Sequence, residues 1–313
     1  MKALAKFKRV AIAACAVAAG LFAHAATEKT SYYAWDETKQ MVLPAAEKAE
    51  AVVLNGADIS SDVELVLDDG WYVTKNHILI DGKNVRVEEG ADVKLILADD
   101  ATMTITNGSL IVNAGSSLTI YGQEKNSGQL IVAVCDYGID DDDALAAAIG
   151  GEAKKSNGPI TIHGGTIRAC SDWGAGIGSG GAYDIPDCPA DADYPVCIYG
   201  GSVDADSYSA AGIGGGSRVE NKSSEDVKDC GRGCDVYAYG GIVRARAHWN
   251  GAGIGGGASA GYLKTFCATG ACVYVSGAWE NGLHFWEKAI GGGFWGPEER
   301  DGYIKIDRNC NYN

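Results

Sequence analysis

The sequence predicts an all-β protein: a right-handed parallel β-helix, or β-solenoid, with an N-terminal cap and loops that leave its corners. Three observations predict it. A phrase of about 22 residues recurs at nearly regular spacing, its strands alternate apolar and polar residues, and paired glycines follow the first strand in three copies. Such self-similarity is typical of stacked units, none of which buries its apolar face alone.

Residues 1–25 are predicted to be a secretion signal. Lys2, Lys6, Lys8 and Arg9 precede an apolar stretch over residues 10–22, and a small-x-small cleavage motif ends at residue 25. We therefore expect an exported protein that is secreted or held at the cell surface of a bacterium. No later stretch reaches the roughly 18 apolar residues that a transmembrane helix needs, so we expect no membrane insertion.

Residues 26–60 are predicted to be the N-terminal cap, because the first coil of a solenoid needs a cover. This segment contains Tyr32, Tyr33 and Trp35, followed by a helix-compatible run over residues 44–53. Residues 61–313 are predicted to form the β-helix domain, with regular repeats from about 117 to 293. Short alternating segments broken by Gly, Asn and Asp support that interpretation.

Four copies of the repeat begin at Ile160, Val196, Val236 and Val273, and each ends in a Gly-rich block around one isoleucine. These isoleucines, Ile177, Ile213, Ile254 and Ile290, are 36, 41 and 36 residues apart, and a decayed copy places Ile149 before them. Alternation predicts that Ile160, Ile162, Val196, Ile198, Val236, Ala238, Val273 and Val275 face inward. The paired glycines, ending in Gly165, Gly201 and Gly241, predict sharp corners with positive φ.

Outward positions of the second strand carry charges that alternate in sign. Arg168, Asp204, Arg244 and Glu280 align across the copies, and Asp206 aligns with Arg246. This alternation predicts parallel, in-register stacking, because like charges directly opposite one another are unfavourable.

Removal of the signal leaves nine cysteines in a chain for which disulfides are expected. The plausible pairs are Cys188 with Cys197, Cys230 with Cys234, Cys267 with Cys272, and Cys135 with Cys170, which leaves Cys310 over.

The formal net charge of −15 predicts repulsion from nucleic acid, so we expect no nucleic-acid partner. The acidic run Asp140, Asp141, Asp142 and Asp143 is interpreted either as a solvated loop or as a calcium site, since clustered carboxylates suit that cation. No other cofactor is predicted.

Catalytic signals are weak. Two GxGxxG stretches, at 176–181 and 251–256, belong to the repeat and precede no helix, so the structural interpretation is favoured over a nucleotide site. Carboxylates such as Asp172 and Asp206 are the remaining candidates for a polysaccharide hydrolase or lyase, but nothing singles out a pair among 41 acidic residues.

Aromatic residues recur at fixed points of the repeat. Tyr121, His163, Tyr199 and Tyr239 align on the first strand with Tyr237 and Tyr274 beside them, and Trp173, Tyr208, Trp249 and Trp286 precede the Gly-rich blocks. They are interpreted either as stacked side chains that stabilise the solenoid or as a strip for glycan stacking. The predicted glycan-binding residues are Tyr121, His163, Tyr199, Tyr237, Tyr239, Tyr274, Trp173 and Trp249.

The motifs TI-x-GG-x-V-x-A and AGIGGG resemble the Gly-rich repeats of secreted bacterial surface proteins of the right-handed parallel β-helix (pectate-lyase-like) class. The similarity covers roughly residues 93–293. It implies that fold and, by analogy, adhesion or carbohydrate binding, but it matches no catalytic motif. The leading hypothesis is a secreted, non-catalytic protein that binds an extracellular glycan or surface. The alternatives are a polysaccharide lyase or glycoside hydrolase, and a structural surface or matrix protein.

Overall fold

The computed structural model describes residues 26–55, 64–134, 142–182, 194–217, 233–249, 251–257, 263–277, 279–280, 283–284, 289–292 and 303–306. Their regular secondary structure is almost entirely β-strand, and most strands lie in three long sheets that are parallel except at one end. The architecture is compatible with a β-solenoid. Residues 1–25, the predicted signal, lie outside the described residues.

We call the three long sheets the flank sheet, the charged sheet and the glycine sheet. The flank sheet contains β1 (Thr27–Thr30), β4 (Ala49–Leu54), β6 (Gly70–Thr74), β9 (Asp92–Leu97), β12 (Ser117–Tyr121), β15 (Ile160–Ile162), β18 (Val196–Ile198), β21 (Asp235–Ala238), β24 (Thr265–Ala268) and β29 (Tyr303–Ile306). The charged sheet contains β7 (His77–Asp81), β10 (Thr102–Thr106), β13 (Gln129–Ala133), β16 (Thr166–Ser171), β19 (Ser202–Ser207), β22 (Ile242–Ala247) and β25 (Cys272–Ser276). The glycine sheet contains β5 (Leu65–Leu67), β8 (Val85–Val87), β11 (Leu110–Ile111), β14 (Ile149–Gly150), β17 (Ile177–Gly178), β20 (Ile213–Gly214), β23 (Ile254–Gly255) and β28 (Ile290–Gly291).

Three smaller elements lie outside these sheets. Strands β2 (Tyr33–Asp36) and β3 (Met41–Pro44) form an antiparallel hairpin, as do β26 (Trp279–Glu280) and β27 (Leu283–His284). The helix α1 (Asp142–Leu145) has four residues. No helix among the described residues is long and apolar enough to span a membrane.

From β5 to β25 the chain visits the glycine, flank and charged sheets in strict rotation. We call three successive strands, one from each sheet, a coil. Side chains that point inward from all three sheets form one continuous apolar core. The predicted inward residues Ile160, Ile162, Val196, Ile198, Val236 and Ala238 are all fully buried, which confirms the alternation that the sequence indicates.

The Gly-rich blocks form a column in the glycine sheet. Ile149, Ile177, Ile213, Ile254 and Ile290 pair directly, each on the next. The glycine after each isoleucine has φ between +139° and +143°. A Cβ on Gly178 would lie 2.0 Å from the carbonyl oxygen of Gly214, and the neighbouring glycines of the column are equally tight. The glycines are therefore required both by φ and by the close approach of successive backbones.

The corner glycines also behave as predicted. Gly165, Gly201 and Gly241 have φ of +88°, +82° and +79°, which L-residues with a Cβ rarely adopt. They let the chain turn from the flank sheet into the charged sheet within three residues.

Charge alternation is confirmed for three of the four predicted positions. Arg168 pairs with Asp204, and Asp204 with Arg244, in parallel register. Glu280 does not continue the row: Tyr274 pairs with Arg244 instead, and Glu280 lies in the β26–β27 hairpin.

The assignment of the last copy is the reason for this error. Val273 and Val275 lie in the charged sheet, whereas the first strand of that coil is β24, from Thr265 to Ala268. Phe266 continues the buried row above Val236. Both strands of a coil alternate apolar residues, so alternation alone did not distinguish them.

The N-terminal segment also differs from the sequence interpretation. Instead of a helix, residues 44–53 contribute strand β4, in which Ala49, Ala51 and Val53 are buried and Glu50 is exposed. This alternation of burial is the period of a strand. Strand β4 extends the flank sheet in parallel beyond β6, and β1 pairs antiparallel with β4 at the outer edge.

Three predicted disulfides are not formed. Cys197, Cys267 and Cys272 are free thiols, and Cys234 carries a buried thiol, so the pairs Cys188 with Cys197, Cys230 with Cys234, and Cys267 with Cys272 were wrong. Cys267 and Cys272 lie on different sheets, on either side of a corner. Cys170 is disulfide-bonded; its predicted partner Cys135 lies outside the described residues, as does Cys310.

We predict that Gly178→Ala destabilises the protein strongly, by roughly 3 kcal/mol or more, because backbone strain and a clash with Gly214 act together. Gly115→Ala is the matched control, since Gly115 also has positive φ (+94°) but a Cβ added there would have no heavy atom within 4 Å; only strain of about 1 kcal/mol is expected. Urea unfolding of both variants measures the difference. Equal losses would contradict the close stacking of the glycine column.

Candidate functional site

An aromatic ladder runs along the outside of the flank sheet. Tyr121, His163, Tyr199 and Tyr239 follow one another in register at the ends of β12, β15, β18 and β21. Their ring centroids are 4.9, 5.0 and 4.9 Å apart, with interplanar angles of 9° to 14°. Trp71, from a neighbouring row, extends the stack at 5.2 Å from Tyr121. The alignment predicted from the sequence is thus confirmed for these four residues.

The rings of this ladder face each other rather than the solvent. Parallel rings lying side by side in one plane could not bring their centroids to 4.9 Å, because their edge atoms would overlap. They must therefore overlap partly face to face, which is a favourable aromatic geometry. The outer surface of the ladder consists mainly of ring edges and hydroxyl groups.

The N-terminal hairpin lies across this ladder. We call residues 32–45 the strap. Two backbone N–H groups of its strand β2 donate hydrogen bonds to residues that end or follow strands of the flank sheet. Tyr33 N–H donates to the carbonyl of Gly122 (3.0 Å), and Trp35 N–H donates to Nδ1 of His163 (3.1 Å). The Trp35 ring lies 5.1 Å from Tyr199 and 6.1 Å from Tyr239, measured between centroids. The strap therefore crosses several strands of the flank sheet and contacts several coils at once.

A second apolar cluster lies under the beginning of the strap. Tyr32 contacts Trp71 at 4.7 Å and Tyr121 at 4.8 Å between ring centroids. These rings pack on outward-facing aliphatic residues of the first coils, including Val73 and Ile96, which are fully buried. The outward row that contains Val73 and Ile96 continues at Tyr121, where its residues become aromatic. Other side chains cover both the aliphatic and the aromatic part of this row.

Burial sets the protonation of the ladder. Removal from water lowers the pKa of His163 to about 4, which keeps the imidazole neutral and able to accept the Trp35 hydrogen bond. Burial likewise raises the pKa of Tyr121 and of Tyr199 to about 12. The ladder is therefore uncharged at neutral pH.

The other predicted glycan-binding residues lie in three different places. Tyr237 is in the row next to the ladder, with its ring 6.2 Å from that of Tyr239 and nearly parallel to it. Tyr274 is on the charged sheet, where the guanidinium of Arg244 lies 5.4 Å from its ring. Trp173 and Trp249 follow the C-terminal ends of β16 and β22, whereas the corner glycines precede the N-terminal ends of these strands.

Trp173, Tyr208 and Trp249 form an aromatic patch, although not in equivalent positions. Backbone hydrogen bonds align Ser209 with both tryptophans, so Tyr208 is one residue earlier than predicted. The Trp249 ring is 6.2 Å from Trp173 at 70° and 5.8 Å from Tyr208 at 38°. Trp249 is 44% exposed, and its tilt leaves ring surface open to solvent. Trp286 lies outside the described residues.

A charged group adjoins the aromatic patch. Arg246 donates from Nε to Oδ1 of Asp206 (2.6 Å) and from Nη2 to Oδ2 of Asp206 (2.6 Å) and Oδ1 of Asp204 (2.9 Å). Although burial opposes ionisation, the hydrogen bonds and charge of Arg246 lower the pKa of Asp206 to about 2. The exposed His248 lies 3.8 Å from the same carboxylate. Asp206 is thus a fixed, ionised acceptor beside the aromatic patch.

No cation site is found in the part of the chain that the structure describes, where no three His, Cys, Asp or Glu side chains come together to hold a metal. The predicted calcium run is not tested by this, because Asp140 and Asp141 lie outside the described residues and the side chains of Asp142 and Asp143 are not described. The catalytic candidate Asp172 is buried beside the aromatic patch.

Comparison with known proteins adds no identification. No family model matches the chain, and no significant match is found among curated proteins or solved structures.

Sequence reasoning missed the residues that cover or flank these surfaces. It places Tyr32 and Trp35 in a cap, and only their aromatic character could have suggested a partner on the ladder. It pairs Arg246 with Asp206 but does not predict that Arg246 binds Asp204 as well. His248 precedes Trp249 directly, yet it has no counterpart in the other copies.

We predict that Trp35→Ala destabilises the protein by about 2 kcal/mol, because it removes a half-buried ring that packs on Tyr199 and Tyr239. Trp249→Ala is the matched control and should cost less than about 0.5 kcal/mol, as expected for an exposed side chain. Chemical unfolding measures both. A negligible loss in the Trp35 variant would show that the strap does not stabilise the fold.

Proposed function

We propose that this chain is a non-catalytic β-solenoid, coiled in the right-handed sense, which a bacterium exports to bind extracellular glycan. Right-handedness follows from the strong preference of parallel strand crossovers for that hand. Export rests on the predicted signal segment, and the class on the resemblance to Gly-rich surface repeats. The glycan site is the aromatic patch of Trp173, Tyr208 and Trp249.

One observation carries the glycan proposal: a tilted aromatic cluster, in which Trp249 is exposed, lies next to a carboxylate and a guanidinium that are rigidly held. Apolar ring surface can stack on the C–H face of a sugar, while Asp206 and His248 offer hydrogen bonds to its hydroxyl groups. The patch is more accessible than the ladder, because the strap covers Tyr199 and Tyr239 and the rings there face one another. The other predicted glycan-binding residues are secondary contacts in this proposal: Tyr121, His163, Tyr199, Tyr237, Tyr239 and Tyr274.

The enzymatic alternative has less support. A glycoside hydrolase needs a carboxylic acid that stays protonated near neutral pH, whereas the Asp206 carboxyl has its pKa lowered to about 2. Asp206 is therefore suited to binding rather than to acid catalysis.

A structural role is the second candidate, and the ladder with its strap favours it. Stacked rings joined to a strap across several coils are a device for stiffness. A surface or matrix protein would use that device without any soluble ligand.

The test is a glycan array that includes plant, mucin and microbial oligosaccharides, followed by calorimetric titration with the best hit. Trp249→Ala should weaken binding roughly tenfold to thirtyfold, the loss expected of a contact residue worth about 2 kcal/mol. Leu79→Ala is the matched control: Leu79 is 67% exposed on the same sheet but lies several coils away, and its loss should leave affinity unchanged.

A reducing-sugar release assay on the same preparation separates binding from hydrolysis. The absence of any array signal, or a Trp249→Ala variant that binds as tightly as the parent, would refute the glycan site. Release of sugar would replace the proposal with the enzymatic alternative.

A further inference from the structure

The strap is attached to the ladder through few polar contacts. Among the described residues, those of the strap make two hydrogen bonds to the solenoid, at Gly122 and at His163, and the carbonyl of the preceding Ser31 accepts a third from Gln123 Nε2 (2.8 Å). The remaining contacts of the strap that we describe are aromatic and apolar, including Val42 near Gly200. Of the three acceptors, only the imidazole of His163 can titrate.

The state of His163 decides whether that contact can exist. Nδ1 must carry a lone pair to accept the proton of Trp35 N–H, so the docked strap requires neutral imidazole. A protonated ring would direct its own N–H at the Trp35 N–H and would be a cation held away from water, with only the faces of two phenol rings to stabilise it. Docking of the strap and protonation of His163 are therefore mutually unfavourable.

No charge among the described residues shifts the pKa of His163, although the charge of Asp92 acts on the neighbouring Tyr121. The rings of Tyr121 and Tyr199 lie on the two faces of His163, and both phenols are neutral well beyond physiological pH. Among the charged residues of the strap, Glu37 affects the ladder. Burial is the main cause of the raised pKa of Tyr199 and Tyr239, and the negative charge of Glu37 adds a smaller increase. Burial is what lowers the pKa of His163 itself.

We propose that the strap is an acid-released latch: protonation of His163 detaches the β2–β3 hairpin and uncovers the aromatic ladder, while the solenoid beneath stays folded. The solenoid can persist because its coils are held by their own parallel ladders and core, independently of the strap. The uncovered row would then present Tyr121, His163, Tyr199 and Tyr239 to solvent. This inference does not depend on the glycan proposal, whose main site is the aromatic patch on the other side of the charged sheet.

The direction and size of the effect follow from linkage. The docked pKa of His163 is about 4 and the ordinary value is 6.5. The released form therefore binds more protons between these values, and docking weakens as pH falls from 6.5 through 4. Because each pKa unit is a tenfold change, the opening equilibrium rises at most roughly 300-fold over that window. Above pH 6.5 the docking equilibrium no longer depends on the charge of His163.

Hydrogen exchange measured between pH 7 and pH 4, corrected for intrinsic rates, tests the latch in the full chain. Peptides covering β2 and β3 should lose protection as the pH falls, whereas peptides covering β19 and β22 should keep theirs. Fluorescence of an apolar dye should rise over the same range as the ladder is uncovered.

Two variants make the test specific. His163→Phe keeps a ring in the stack but can neither accept the hydrogen bond nor titrate, so strap exchange should be faster at pH 7 and nearly independent of pH between 6.5 and 4. His77→Gln, at an exposed histidine of β7, should respond to pH like the parent. The proposal is overturned if strap protection does not change with pH, if His163→Phe keeps the parental pH response, or if the whole solenoid loses protection together with the strap.

Discussion

The close stacking of one coil on the next is the constraint on which the rest of the structure depends. It is tightest in the glycine sheet, where each backbone approaches its neighbour at a distance that excludes a Cβ. Stacking at this spacing fixes every residue directly above its counterpart in the preceding coil. Matching side chains therefore become continuous rows: isoleucines inside, aromatic rings on the flank, and charges on the opposite sheet.

Rows of this kind are why much of the fold could be predicted. The spacing of Ile177, Ile213 and Ile254 indicated the register, and the opposite charges of Asp204 and Arg244 supported it. The errors of the prediction also have physical reasons. Val273 was placed on the wrong sheet because two strands of a coil share one alternation, and the strand near Val53 was predicted as a helix-compatible run because its residues also suit helices. The Trp35 contact with His163 joins positions 128 apart, and no local pattern signals it.

The two aromatic surfaces show that identical residue types serve different ends according to their geometry. In the ladder, nearly parallel rings cover one another and are covered by the strap, so the energy of aromatic contact stabilises the fold. In the patch, large angles between rings leave Trp249 open beside a fixed carboxylate. The ladder and the patch could not be told apart from the sequence, because aromatic residues recur at fixed points of the repeat in both. The angles between the rings depend on the corners and loops, which leave no such pattern.

The orientation of the strap has a consequence for cooperativity. In an ordinary solenoid each repeat contacts only its neighbours, so unfolding can begin at one end and proceed unit by unit. A hairpin that crosses several strands of the flank sheet joins coils that otherwise never meet, from Trp71 near the first to Tyr239 much farther on. While it is docked, the strap therefore couples the N-terminal coils to one another, and their unfolding should be more cooperative than that of a simple linear array.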